Sequence, residues 1–261
     1  MIIRASANPG NRVKLTQLLL FLCGLAALSA SSALCQMSDP AKSADREKTV
    51  QDGERLLEGG RSTLDVPTLN SARKIFEACA GPEDKNSLCY FNLALTDFCL
   101  KKAEDLTKHS EAAKRWLDTA IADAQSAEAL NERSPDIHAL LGDLYGAKIT
   151  GMASGMHYGP KANAEIQRAF QLDPDNSRAF AAAGRKYLYT PSMFGGDLNK
   201  AIESFRKATE TDPHFDENFV WLAIAYRKKG DSVDAQQALS EALQLNSHNV
   251  FALRVKSGAE Q

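Results

Sequence analysis

At 261 residues, of which 25% are charged and 44% apolar, the chain holds one large domain or two small ones plus any targeting segment. A formal net charge of −2, with no long Lys/Arg run, excludes nucleic acid and anionic lipid surfaces as natural partners. The sequence contains no His-Glu-x-x-His, nucleophile elbow, phosphate-binding loop or dinucleotide fingerprint. It therefore offers no basis for an enzyme, a cofactor or a metal site.

The chain opens with Arg4, Arg12 and Lys14, with no acid before Asp39, followed by an apolar run over residues 15–30 and small residues around Ala33. This pattern predicts a signal peptide or an uncleaved signal anchor over residues 1–35. The rest of the chain is then expected in the periplasm or secreted, tethered to the inner membrane only if that segment stays. Its removal leaves a net charge of about −5. Cys35 follows Leu34, where lipid attachment wants a small residue, so a lipoprotein is not expected. The absence of Asn-x-Ser/Thr favours a bacterial envelope. Residues 36–43 read as a linker, and residues 44–261 as the folded domain.

Within that domain one spacing recurs. Ala72–Phe76–Cys79, Ala113–Leu117–Ala120, Ala162–Ile166–Ala169, Ala201–Phe205–Ala208 and Ala235–Leu239–Ala242 each place a large apolar residue between two small ones. Steps of four and three put all three side chains on one helix face. The small residues admit a neighbouring helix and the large one fills the gap. Upstream helices carry Leu141–Gly142 with Tyr145, Ala183–Gly184 with Tyr187, and Leu222–Ala223 with Tyr226. Asp173–Pro174 and Asp212–Pro213 stop helices between units. Cys79 and Cys89 fall at facing ends of one helix and the next, within reach of a disulfide, although three buried thiols are an equal reading. Cys89 and Cys99 are ~15 Å apart on one helix and cannot bond.

Ala235 follows Ala201 by 34 residues, the period of the tetratricopeptide repeat. The run from Pro213 to Asn249 resembles a complete unit of that family, and the units ending in LDPDN and TDPHF resemble it with insertions. The resemblance implies an all-α, helical-hairpin solenoid of four to five repeats with a C-terminal capping helix from Val250 to Lys256. It also implies a non-enzymatic scaffold that binds a protein or peptide.

Only the last unit joins its helices by a tight Gly230–Asp231 turn. The others carry extra residues at 59–68, 101–109, 150–160 and 190–196, read as long intra-repeat loops gathered on one edge. Met152, Met156, His157, Tyr158, Met193 and Phe194 are expected to line a small-ligand pocket there, with Tyr189 beside them. Met152, Met156 and His157 lack a second His or Cys and are not read as a copper site. The segment YTPSMFGGDLNKA resembles an insertion in the periplasmic tetratricopeptide proteins of TRAP-type solute transporters. That resemblance implies the alternative role, a transporter-associated protein handling a small ligand.

On the concave face, Arg178, Arg185, Tyr189, Arg227 and Lys228 are expected to form a partner groove, its basic C-terminal half suited to an acidic peptide. His138 occupies the aromatic position of its helix and is expected to pack rather than to bind a ligand.

Overall fold

A computed structural model describes residues 40–81 and 86–259. The expected export segment, with Cys23 and Cys35, lies outside them. Ser43–Gln261 forms one compact unit, and its described residues are helical with no strand. No helix among the described residues is long and apolar enough to cross a membrane.

The helices pair in sequence. α1 (Pro40–Thr63) and α2 (Val66–Cys79) form the first hairpin, α3 (Ser87–Leu106) and α4 (Ser110–Leu130) the second, and α5 (Pro135–Ala147) and α6 (Met152–Leu172) the third. α7 (Ser177–Tyr189) and α8 (Leu198–Thr211) make the fourth, α9 (Asp216–Lys229) and α10 (Ser232–Leu245) the fifth, and α11 (Val250–Lys256) caps the end. From α2 onward each helix packs on the next. In addition α3 meets α5, α5 meets α7 and α7 meets α9, so the odd-numbered helices form the inner layer of a solenoid.

Local chemistry sets the boundaries. Asp65, Asn86, Asn176, Asp197, Asp231 and Asn249 each accept a backbone N–H in the first turn of the following helix, where those N–H groups have no partner within the helix. Two of these caps also stitch neighbours together. Asn176 Nδ2 donates to Asp136 at 3.0 Å, and Asn249 Nδ2 donates to Asp216 at 2.9 Å. Gly230, at φ +86°, takes the left-handed conformation that ends α9 and turns the chain directly into α10.

Every recurrent small–large–small triplet on the even-numbered helices is buried. In three hairpins the large residue presses on a glycine of the partner helix. A Cβ on Gly184 would lie 2.5 Å from the Phe205 ring, and one on Gly142 would lie 2.7 Å from Ile166. Gly53 faces Phe76 at 2.9 Å in the same way, so the first hairpin packs like the later ones. Cys79 and Cys89 are bonded, with Cα atoms 5.9 Å apart, joining the first hairpin to the second. Cys99 is a free, buried thiol.

The lengthened junctions differ from expectation. Residues 59–63 continue α1, residues 101–106 continue α3, and residues 152–160 open α6. The extra length is mainly helix: α1, α3, α4 and α6 have 24, 20, 21 and 21 residues, whereas α9 and α10 have 14 each. At α6 the glycines and Pro160 are overridden by packing. Ser154 Oγ accepts from the Thr150 and Gly151 N–H groups at 3.0 Å, and the Tyr158 ring stacks on Tyr145 at 6.2 Å. Residues 190–196 alone among the four junctions lie wholly outside the α-helices, closed by a 3-10 turn at Ser192–Phe194.

Candidate functional site

The inner helices and the turns between hairpins enclose a concave cavity of about 360 Å³. Its floor is built around Glu217, in the first turn of α9. Lys102 Nζ donates to Glu217 Oε1 at 2.7 Å, Trp221 Nε1 donates to the same oxygen at 3.2 Å, and Arg61 Nη1 donates to Oε2 at 3.4 Å. Arg61 comes from the end of α1, 156 residues away. Its guanidinium lies 4.2 Å over the Phe215 ring and 3.5 Å from Asp216. Glu217 thus ties the first, second and fifth hairpins together.

Electrostatics explains why the carboxyl stays charged there. Burial works to raise its pKa, but Lys102 and Arg61 outweigh burial and hold it far below the usual carboxylate range. Burial likewise disfavours the Arg61 charge, and the Glu58 hydrogen bond with the Glu217 and Asp216 charges overcomes it. One step along the cavity, Arg185 grips Asp143 with two hydrogen bonds, Nε donating at 2.9 Å, and its guanidinium stacks 5.2 Å over Trp221. Bidentate pairing of this kind fixes an arginine in one geometry.

The five residues expected in the partner groove therefore separate. Arg178 and Arg185 line the cavity, but Arg185 is committed to Asp143, and Arg178 lies 3.8 Å from Asp136 and 5.4 Å over Phe91. Arg227 donates to the Val255 carbonyl and anchors the capping helix. Lys228 lies 4.8 Å over Tyr189, whose own ring stands edge-on to Trp221. The basic half of the groove is thus largely engaged within the fold. Around the cavity four cations, Arg61, Lys102, Arg178 and Arg185, face six carboxylates. Three of those, Asp173, Asp175 and Asp212, sit on the turns between hairpins and form no ion pair with the described residues. The groove's available charge is negative, which reverses the sign expected from the sequence.

The residues expected to line a ligand pocket do not enclose one. Met152, Met156 and Met193 are 72%, 77% and 80% exposed, and Phe194 is 59% exposed. Pro191's carbonyl accepts from the Phe194 and Gly196 N–H groups, which tightens the turn and leaves Met193 and Phe194 projecting outward. His157 and Tyr158 pack edge to face at 4.6 Å, and the Tyr158 ring serves the α5–α6 contact. Sequence reasoning misses Glu217, Lys102 and Arg61. A Glu four residues before a Trp is a weak helical signal, and nothing local points from Glu217 to Arg61.

The tetratricopeptide-repeat family model matches residues 193–215, which comprise most of the 3-10 turn, α8 and the turn into α9. No curated protein sequence matches the chain. Among solved structures, a thermophilic tetratricopeptide-repeat protein of Thermus thermophilus is similar at 16% identity and a TM-score of 0.60, over 82% of this chain and 98% of that one. The HusA haemophore of Porphyromonas gingivalis is similar at 18% identity and a TM-score of 0.50, over 81% and 95%. These likenesses bear on the fold: the chain folds as a tetratricopeptide-type solenoid.

Proposed function

We propose that this protein is a non-enzymatic scaffold that holds a protein or peptide partner in its concave groove, and that the partner presents Lys or Arg side chains. The observation that carries this reading is the groove's charge. Its cations are largely held by carboxylates of the fold, while Asp173, Asp175 and Asp212 on the rim have no cationic partner among the described residues. An acidic peptide would meet repulsion at the rim, whereas a basic one would find counter-charges on successive turns. The stiffness of the stacked hairpins favours such a role, because a preformed groove spares the partner the cost of ordering it. We place the protein in the periplasm or cell envelope. The basic-then-apolar N-terminal segment and the Cys79–Cys89 disulfide support that placement, since disulfides persist in oxidising compartments.

Fluorescence anisotropy with short Lys/Arg-bearing peptides and their Asp/Glu counterparts tests the groove. Basic peptides should bind with an affinity that falls as salt rises. The double variant Asp175→Asn/Asp212→Asn should weaken binding about fivefold, as expected for losing ~1 kcal/mol from two screened pairs. Equal binding of the acidic peptides, or an unaltered affinity in the double variant, would remove the groove as the site.

A further inference from the structure

Glu128 on α4, His138 on α5 and Glu165 on α6 converge outside the groove, and their nearest ligand-type atoms all lie within 4.8 Å of one another. His138 is buried at 4% exposure. Its Nε2 sits 2.9 Å from the Glu132 carbonyl, an oxygen that only accepts, so Nε2 carries a proton. The other ring nitrogen, Nδ1, lies 2.7 Å from Glu165 Oε2 and 3.6 Å from Glu128 Oε1. In a neutral imidazole that nitrogen directs its lone pair at two carboxylates. A metal ion placed there would take that lone pair together with an oxygen from each carboxylate. The two glutamates have no Lys or Arg partner among the described residues. A divalent ion beside two carboxylates and a neutral imidazole sums to zero charge.

We propose that Glu128, His138 and Glu165 form a binding site for a divalent transition-metal cation, with zinc the natural occupant of one nitrogen and two carboxylate oxygens. Metal-ligating histidines are commonly oriented by a carbonyl that holds the far ring nitrogen, and Glu132 supplies one here. The spacing fits. Ligands about 2.0–2.2 Å from a tetrahedral zinc stand about 3.4 Å apart, between the Nδ1–Glu165 and Nδ1–Glu128 distances, and the 4.8 Å bound on the trio leaves side-chain rotation to bring the two carboxylates together. Glu128 and Glu165 side chains are 34% and 20% exposed, which gives an ion a route in and leaves the fourth position to water. Because the ligands come from three successive helices, the ion would rivet the second hairpin to the third. The proposal departs from the expectation that the chain binds no metal and gives the buried His138 a role beyond packing.

Equilibrium dialysis of the full chain, stripped with chelator and offered Zn²⁺ alone, should find about one tightly held ion per chain. Zn²⁺ should also raise the melting temperature. Glu128→Gln, at the most exposed of the three positions, and His138→Gln should each weaken binding about tenfold or more; circular dichroism of both variants establishes that they are folded. With Co²⁺ the visible spectrum should show tetrahedral bands without a thiolate charge-transfer band. Failure of the stripped chain to take up Zn²⁺ would overturn the site. So would a thiolate band, or undiminished binding in folded Glu128→Gln.

Discussion

Between α3 and α4 two carboxyls share one buried spot. Asp97, with no exposed side-chain surface, accepts from Arg73 Nε at 2.7 Å, and Arg73 is also committed to Glu77. Asp123 stands beside Asp97 with a buried oxygen that no donor reaches. Burial, and then the Asp97 charge, push the Asp123 carboxyl up to about 7, and a protonated Asp123 satisfies both residues by donating to Asp97. Because its folded pKa exceeds the ordinary value of about 3.9, its contribution to stability is fully present below about pH 4 and is lost as pH rises through about 7. Thermal melts should therefore show stability falling between about pH 4 and pH 7 and levelling above it. Asp123→Asn, whose amide can donate at any pH, should flatten that slope and raise the melting temperature at pH 8. An unchanged slope in the variant would place the titration elsewhere.

At the scale of the helix, Pro160 is the local rule that packing overrides. It sits inside α6 and denies the carbonyl four residues back its usual donor. The position is exposed, so Pro160→Ala should stabilise the protein by about 1–3 kcal/mol, measured as a shifted urea midpoint with unchanged slope. This helix also shows what is legible in the sequence. The small–large–small triplets predict the buried face of all five even-numbered helices, because helical periodicity is a local property that a single side-chain pattern reveals. The junctions are misread because Gly, Met and Pro at 150–160 have low or ambiguous propensity, while Tyr158 on Tyr145 decides the outcome through a tertiary contact. The ligand pocket expected there is misread with them. Of the residues expected on the groove, Arg178 and Arg185 line the cavity. Its charge is not legible, since the sign depends on which carboxylate each arginine meets.

For the whole Ser43–Gln261 unit, Glu217 is the exception to nearest-neighbour logic. Stacked repeats ordinarily touch only adjacent repeats, and their stability is a sum of local terms. Here Arg61 of the first hairpin and Lys102 of the second converge on the fifth. Glu217→Gln should take the counter-charge from Lys102, leave Arg61 with only Asp216 and Glu58, and cost about 2–4 kcal/mol. Urea denaturation should show that loss, with a broader transition as the ends decouple. A single transition as steep and as stable as the parent's would show that the cluster does not couple them. The Glu217 pKa is depressed, so its contribution is present above the ordinary glutamate pKa of about 4.3 and is lost as pH falls below it.

That same contact bears on how the chain reaches its fold. Hairpins close through neighbours in sequence, and such low-contact-order structure forms quickly. The Arg61–Glu217 pair, 156 residues apart, must wait until the fifth hairpin exists. A chain that emerges N-terminus first therefore completes four hairpins with Arg61 and Lys102 still open to solvent. It shuts its inner face only when α9 arrives, so the final step of assembly is an electrostatic clasp.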